Sequence, residues 1–489
     1  MTFRRIIAVF VLASVSVRCT EAIADPNPGL QTRISQHGLD YVTSTAVKKY
    51  RHFLRHLSID DTSGRAGTPV GDVNYDLQQM AIQDADIPNF SIKPQPNVGL
   101  KVSLWGASAK VKGDWKYSYK LVFIDIKDSG SFDVQAKGLS LDVVARLGKD
   151  KDGKPTISAV SCNAHINDLR VKFNGGASWL YNLFADNIAD GMKGDLSNQL
   201  CQGATDGINN DLADTFSDIK VVTSFGGDLD FMVIDYRLVE PPKFTDKYLE
   251  TAHKGEIYQR SQHKAPPFSP KAMPEQKETS RMVYLWVSDY VANTLLYTLQ
   301  NSGFLNKFAQ QIDLPKDSKF ALNTSYFAIF VKEIHDKYNN LAMTMTMNST
   351  MAPKLTITEG NITVDTGGVV SFSALPPNQN PVHLFNFRIN MTVVLAPKLV
   401  DLSIVGNVTI KRFDVSVENS DVGQISLFFV QLATDTMLTN TVIPWINAQV
   451  AQGLPLPKVD RLKFVKPELK LTDGCMVIAT DLEYTLSDK

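Results

Sequence analysis

The chain has almost no net charge. Its 50 lysines and arginines face 51 aspartates and glutamates, leaving −1 at pH 7 over 489 residues. That excludes the strong positive field of a general nucleic-acid binder, so any charge-driven function is local. Histidine is scarce, at 8, and scattered. His52 and His56 stand four apart on one candidate helix with no third ligand in view, so no metal site is expected. "DKDG" at 150–153 opens like a calcium loop but lacks the closing bidentate Glu, and reads better as an Asp-Gly hairpin turn. G-x-S-x-G, H-E-x-x-H and the phosphate-cradling glycine patterns are missing. The expectation is a protein that is not an enzyme and carries no cofactor.

Long apolar runs are missing too, with one exception at the start. Arg4 and Arg5 precede "IIAVFVLASVSV", residues 6–17, and Ala22-Ile23-Ala24 stands before Asp25. This is the order of a secretory signal peptide, assigned to residues 1–24. The run is too short to span a bilayer comfortably. A soluble, secreted, extracellular protein is expected. Cysteine is sparse: of 4 in all, Cys19 lies in the signal, leaving Cys162, Cys201 and Cys475. Three cannot all pair within one chain. An oxidising compartment favours one disulfide, and Cys162 and Cys201 are the nearest two in sequence. Cys475 sits in the apolar strand-like "DGCMVIATDLEYTL", where a buried free thiol is expected. Sequons for N-glycosylation fall at Asn89, Asn323, Asn348, Asn361, Asn390 and Asn407. All but Asn89 lie in the second half, which is expected to face solvent and sugar.

What is present is a plan stated twice. Leu30, Ile34, Val42, Ala46, Tyr50, Phe53 and Leu57 recur at helical spacing and predict a long amphipathic helix with a solvated basic face. From about residue 70 the chain alternates apolar and polar residues between Gly-Asp, Asp-Ser-Gly and Asp-Gly, which predicts long antiparallel strands and hairpins. Residues 177–216 return to helical spacing, and "LDFMVIDYRLV" reads as a strand. Residues 241–280, rich in proline and charge, are expected to be a linker. Then "RMVYLWVSDYVANTLLYTLQNSGFL" reads as helix, followed by "LAMTMTMNST", "KLTITEGNITV", "LFNFRINMTVVL" and "NVTIKRFDVSV" as strands, a second helical stretch and a closing strand. The order repeats with negligible identity between halves, so two similar domains are expected, 25–240 and 281–489. A long curved sheet over helices would make a tapered apolar tube, and each acyl methylene buried in it is worth about 0.8 kcal/mol.

One stretch concentrates cations and rings. "VKGDWKYSYK", residues 111–120, has Gly113-Asp114 where a two-residue hairpin loop would stand. Cross-strand pairing about that turn would gather Lys110, Lys112, Trp115, Tyr117 and Tyr119 on one face, with Lys116 and Lys120 on the other. Alternating cations and rings suit a boundary between phosphate and hydrocarbon. "GKDKDGKP" adds Lys149, Lys151 and Lys154 if both turns project from one end.

In "NPGLQTRISQHGLDYV", "PNVGLKVSLWGASAKVKGDWK", "GKPTISAVSCNAHINDLRVKF", "HKAPPFSPKAMP" joined to "RMVYLWVSDY", and "GLPLP", in order over nearly the whole mature chain, the sequence resembles the lipid-binding family of bactericidal/permeability-increasing protein and lipopolysaccharide-binding protein. The resemblance implies an α+β fold: an elongated boomerang of two pseudo-symmetric barrel-like domains, long twisted antiparallel sheets wrapped on long helices, joined by a central sheet. It implies a disulfide, carried here by Cys162 and Cys201, and a phospholipid-sized apolar pocket in each domain, with bound phospholipid as ligand. It further implies a monomeric innate-immunity protein that binds lipopolysaccharide through lipid A at the Gram-negative outer membrane, with antibacterial action. The cations that would meet phosphates here are Arg65, Lys110, Lys112, Lys116, Lys120, Lys149, Lys151 and Lys154, with Trp115, Tyr117 and Tyr119 at the boundary. Around Arg65 stand Asp72 and Asp76, and residues 201–240 hold only Lys220 and Arg237 as cations, so positive charge at the tip is thinner than in a strong endotoxin binder. The alternative is a phospholipid carrier without endotoxin specificity.

Overall fold

A computed structural model describes residues 27–44, 61–68, 71–121, 124–175, 185–275, 277–309, 321–329, 331–400, 402–439, 443–452, 454–455 and 462–484. The signal segment and His52 and His56 lie outside the described residues. The first strand, β1, is Leu30–Ser35, and helix α1 follows at 36–44. The long predicted helix therefore starts six residues later than its spacing suggests. Leu30 and Ile34 fit a period of 2 as well as a period of 3.6, and the local chemistry decides between them. Ser35 accepts a hydrogen bond from the Gly38 amide at 3.3 Å, which is the N-cap geometry that starts a helix.

The first half is a curled antiparallel sheet. Its strands are β2 (Thr62–Thr68), β3 (Gly71–Asp86), β4 (Asn89–Gln95), β5 (Gly99–Leu121), β6 (Ile124–Lys149) and β7 (Pro155–Asn174), ordered β2-β3-β5-β6-β7 with β4 also on β5. Helix α2, Ala185–Asp206, lies along β7. It runs through a π-helical turn at Gly207–Leu212 into α3, Ala213–Ser217. The inner face of the sheet packs Leu77, Trp115, Phe132, Val134 and Phe173 against Ala189 and Met192 of α2. Phe132 is 1% exposed, so truncating it to Ala would cost about 3–5 kcal/mol.

The Pro-rich segment is more than a linker. After β8 (Val222–Ser224) and β9 (Met232–Asp235), it supplies β10 (Lys243–Phe244), β11 (Tyr248–His253) and β12 (Glu256–Gln259). "KYLETAHKGEIYQ" alternates well enough to pair, and the prolines bracket it. Next comes β13, Val283–Ser288, in which alternate residues Tyr284, Trp286 and Ser288 are buried. It replaces the start of the helix expected there, because "VYLWVS" is rich in β-branched and aromatic residues. Helix α4, Asp289–Asn301, follows.

The second half repeats the plan. Short helices α5 (Phe304–Ala309), α6 (Thr324–Phe327) and α7 (Lys332–Lys337) precede β14 (Ala342–Ser349), β15 (Lys354–Thr358), β16 (Asn361–Leu375), β17 (Val382–Val400) and β18 (Ser403–Ser420). Helices α8 (Leu427–Met437) and α9 (Ile443–Ala451) lead to β19 (Leu454–Pro455), β20 (Leu462–Thr472) and β21 (Cys475–Tyr484). The inner face of this sheet centres on Phe327, Phe372, Phe385 and Phe387, with ring centroids 4.7–5.6 Å apart.

A six-stranded central sheet, ordered β10-β11-β1-β13-β21-β20, joins the halves by weaving both ends of the chain into its middle. Arg33 of β1 is its pin. The guanidinium is 3.9 Å from the Tyr248 ring centroid and 5.0 Å from that of Trp286, and donates to Glu250 at 2.7 and 2.8 Å. It also donates to the Glu278 carbonyl at 3.3 Å, which holds the proline stretch across the sheet. No helix among the described residues is long and apolar enough to cross a membrane.

Candidate functional site

The lysine-aromatic stretch does not turn at Gly113-Asp114. Strand β5 runs straight through it, and its pairing with β6 continues from Gly113↔Phe132 to Leu121↔Ile124. Gly113 serves packing instead: a Cβ there would stand 2.8 Å from the Phe132 ring and 2.9 Å from the Gln78 carbonyl. Because the strand is continuous, its faces separate. Lys110, Lys112, Asp114 and Lys116 are exposed, while Gly113 and Trp115 are buried. Trp115 is therefore a core residue, not a neighbour of the lysines. Its indole donates to the Ser131 carbonyl at 3.0 Å, and its ring meets Phe173 edge-on at 5.7 Å. Tyr117, Tyr119 and Lys120 belong to β5, but their side chains fall outside the described residues.

The exposed lysines are matched by carboxylates on neighbouring strands. Lys110 Nζ is 3.6 Å from Asp84 and Lys112 Nζ 3.5 Å from Asp133. Lys116 stands opposite Asp76 of β3. Arg65 is exposed on β2 opposite Asn74, and Asn74 in turn pairs with Ser118, so Arg65 shares the end of the sheet where β5 meets β6. Residues 62–78 and 112–133 together hold five cations and six aspartates, close to electrical balance.

Lys149, Lys151 and Lys154 do not join this end. They occupy the β6–β7 turn, at the other end of β6. That strand has 26 residues, a contour of roughly 80 Å at the usual rise. The turn is tied by the Asp150 carboxylate, which accepts from the Asp152 and Lys154 amides at 2.9 and 2.8 Å. It packs towards the centre of the molecule: Leu238 donates to the Gly153 carbonyl at 2.8 Å, and Lys154 Nζ to the Ser217 carbonyl at 3.3 Å.

Cys162 of β7 and Cys201 of α2 form a disulfide across 39 residues, and Cys475 is free and buried. Among the described residues no group of three or more His, Cys, Asp or Glu side chains assembles to hold a metal. Of the sequons, Asn89 uses its amide on the Trp105 carbonyl at 3.2 Å. Asn323 caps α6 through Ser325 at 2.8 Å. Asn348, Asn361, Asn390 and Asn407 are exposed.

The residues missed from sequence lie at the core of the joint. Asp235 is fully buried and accepts from Arg237 Nε at 2.9 and 3.0 Å. Glu256, also buried, meets Lys254 and His263, each at 2.6 Å. Burial alone would raise the Glu256 carboxyl, but its bonds to His263 and Lys254 outweigh this and leave it below the ordinary range. The available signal was charge interrupting apolar runs, as in "MVIDYRLV".

The family model for the N-terminal domain of the LBP / BPI / CETP family matches residues 38–210, and that for the C-terminal domain residues 229–484. The chain belongs to the LBP / BPI / CETP family. It is similar to a bactericidal permeability-increasing protein of Sebastes schlegelii, 28% identical over 94% of this chain and 96% of the relative. It is equally similar, at 28% identity, to the lipopolysaccharide-binding protein of Homo sapiens, over 97% of each chain. The crystal structure of lipopolysaccharide binding protein superposes with a TM-score of 0.56 at 25% identity, over 94% of this chain and 99% of that one. Both domains of the family are thus present, in the expected order.

Proposed function

We propose that this is a secreted innate-immunity protein that binds lipids by their acyl chains within its two curled sheets, and that lipopolysaccharide is one of them. The observation that carries this reading is the matched pair of long sheets, each turning an apolar, aromatic-rich face onto its own helices, in a chain similar along its length to lipopolysaccharide-binding and bactericidal relatives. Hydrocarbon burial supplies the affinity, at about 0.8 kcal/mol per methylene. Arg65, Lys116, Lys120 and Lys127 are the cations nearest the free end of the first sheet and would meet lipid A phosphates there.

The second reading, a carrier of phospholipids without endotoxin specificity, is favoured by the ion-paired lysines and balanced charge of that same end. Organic extraction of the purified protein followed by mass spectrometry tests the shared claim: diacyl lipids in near-stoichiometric amount are expected, and a lipid-free protein that takes up none would overturn both readings. Binding to lipopolysaccharide and to phosphatidylcholine vesicles, measured in parallel, separates them. Preference for lipopolysaccharide supports the first; equal binding supports the second.

A further inference from the structure

Four of the six sequons share a property that sequence position hides. Asn348, Asn361, Asn390 and Asn407 lie on four different strands of the second-half sheet, and each begins an Asn-x-Thr triplet. Strand residues alternate between faces, so the face of each asparagine follows from the pairing. Asn390 pairs with Gly367 of β16 and Asp414 of β18. Asn407 pairs with Ala396, six residues from Asn390 on β17, and Asn348 with Val369, two from Gly367 on β16. Asn361 also stands an even number of residues from Gly367. All four side chains therefore leave the sheet on one side. The other side is the apolar one, where Ile362, Val370, Phe372, Phe387, Val408 and Val415 are buried.

The local chemistry agrees. All four asparagines are exposed, and among the described residues none of their carboxamides makes a hydrogen bond. Thr363, Thr392 and Thr409, two residues on within their strands, share the face of their asparagines. Gly367 sits opposite Asn390, and a Cβ at Gly367 would lie 2.6 Å from the Asn390 amide oxygen, so glycine leaves that amide its room. The register sets the sites in two rows, Asn348 with Asn390 and Asn361 with Asn407, about 10 Å apart within a row and roughly 20 Å between rows. Asn89 and Asn323 belong to neither row and use their carboxamides inside the fold.

We propose that the outer face of the second-half sheet is a carbohydrate-bearing face, N-glycosylated at Asn348, Asn361, Asn390 and Asn407, and that it is consequently turned away from lipid. Each transfer joins the asparagine Nδ2 to the anomeric carbon of a lipid-pyrophosphate-linked oligosaccharide as the C–O bond to the pyrophosphate breaks; the carrier leaves as its pyrophosphate, and the amide releases one proton to the medium. A bulky, hydrated sugar at this spacing denies any flat partner, whether a bilayer or a second sheet, contact with the strands beneath. The inference rests on the export proposed above.

The test expresses the full chain in a mammalian secretory line and maps peptides after peptide-N-glycosidase treatment in heavy-oxygen water. Label on at least three of the four asparagines is expected. Protein recovered from the medium with two or fewer labelled overturns the inference and leaves export standing. Protein absent from the medium and unlabelled overturns both. On the secreted, folded protein, enzymatic removal of the sugars should leave binding to phosphatidylcholine vesicles unchanged. A gain of about tenfold would mean that the face meets lipid once bare, and would overturn its assignment as turned away.

Discussion

Freeing the lysines of the first sheet tests whether their aspartates hold endotoxin affinity down. The perturbation is the double substitution Asp84→Asn with Asp133→Asn. Lys110 and Asp84 are 3.6 Å apart with side chains 60% and 54% exposed, and Lys112 and Asp133 are 3.5 Å apart at 66% and 40%. Exposed pairs of this kind contribute between about 0 and 1 kcal/mol each to folding, so the variant should fold and melt almost as the parent does. Binding is another matter. A cation beside an anionic lipid surface is worth about 1 kcal/mol. Removing two opposing carboxylates therefore strengthens binding by up to about 2 kcal/mol, roughly thirtyfold. The gain is electrostatic and must shrink with salt, because the screening length falls from about 8 Å at 0.15 M to about 3 Å at 1 M. Titration of lipopolysaccharide at low, physiological and high salt reads both quantities. A variant that binds no better than the parent, or whose gain is the same at every salt concentration, would show that this outer face does not meet the phosphates.

Three further outcomes are expected. Replacing Cys162 and Cys201 together by Ser opens a loop of 39 residues, worth about 4 kcal/mol of chain entropy; thermal melting of the first half should fall, and an unchanged melting profile would contradict the role given to the β7–α2 staple. Burial pushes the His253 imidazole below its ordinary value, against the pull of the Tyr236 carbonyl and Asp235. Its contribution is thus complete above the unfolded value of about 6.5 and is lost as pH falls below it, by up to about 1.4 kcal/mol per pH unit. His383 is shifted the opposite way, so the measurement is the difference in urea stability between the parent and His253→Gln at pH 7.5 and 5.5; equal acid sensitivity in both would refute the assignment. Burial pushes the Cys475 thiol up to about 12, so a maleimide should label it only after denaturation, and rapid labelling of the native protein would contradict its burial.

The two-fold plan was legible because it is written in periodicity, which needs no partner to be read. The long strands and the helices at 185–217 and 427–451 follow from it. Boundaries where two periods coincide were not legible: Leu30 and Ile34 satisfy both strand and helix, and only the Ser35 cap settles the issue. Gly113-Asp114 misled for a physical reason. Glycine has two uses, turning and close packing, and the sequence does not distinguish them; here the Phe132 ring needs the space. The β5–β6 ladder instead runs on to Leu121↔Ile124. Lys110 and Lys112 stand out in the sequence as exposed cations, but their partners Asp84 and Asp133 lie across strand pairings that only the register reveals. The same holds for the shared face of the four sequons, and for Arg33, whose partner Glu250 is 217 residues away.

The woven central sheet sets a timetable for synthesis. Strand β13 ends at Ser288, and its neighbour β21 begins at Cys475. At about 5–20 residues per second, a ribosome needs roughly ten to forty seconds to cover that interval. Throughout it the β13 edge that will receive β21 has no mate, with the Tyr284 and Trp286 rings beside it. Nascent chains, and any product of a premature stop codon before 475, are therefore expected to be clients of the chaperones that shield open strand edges.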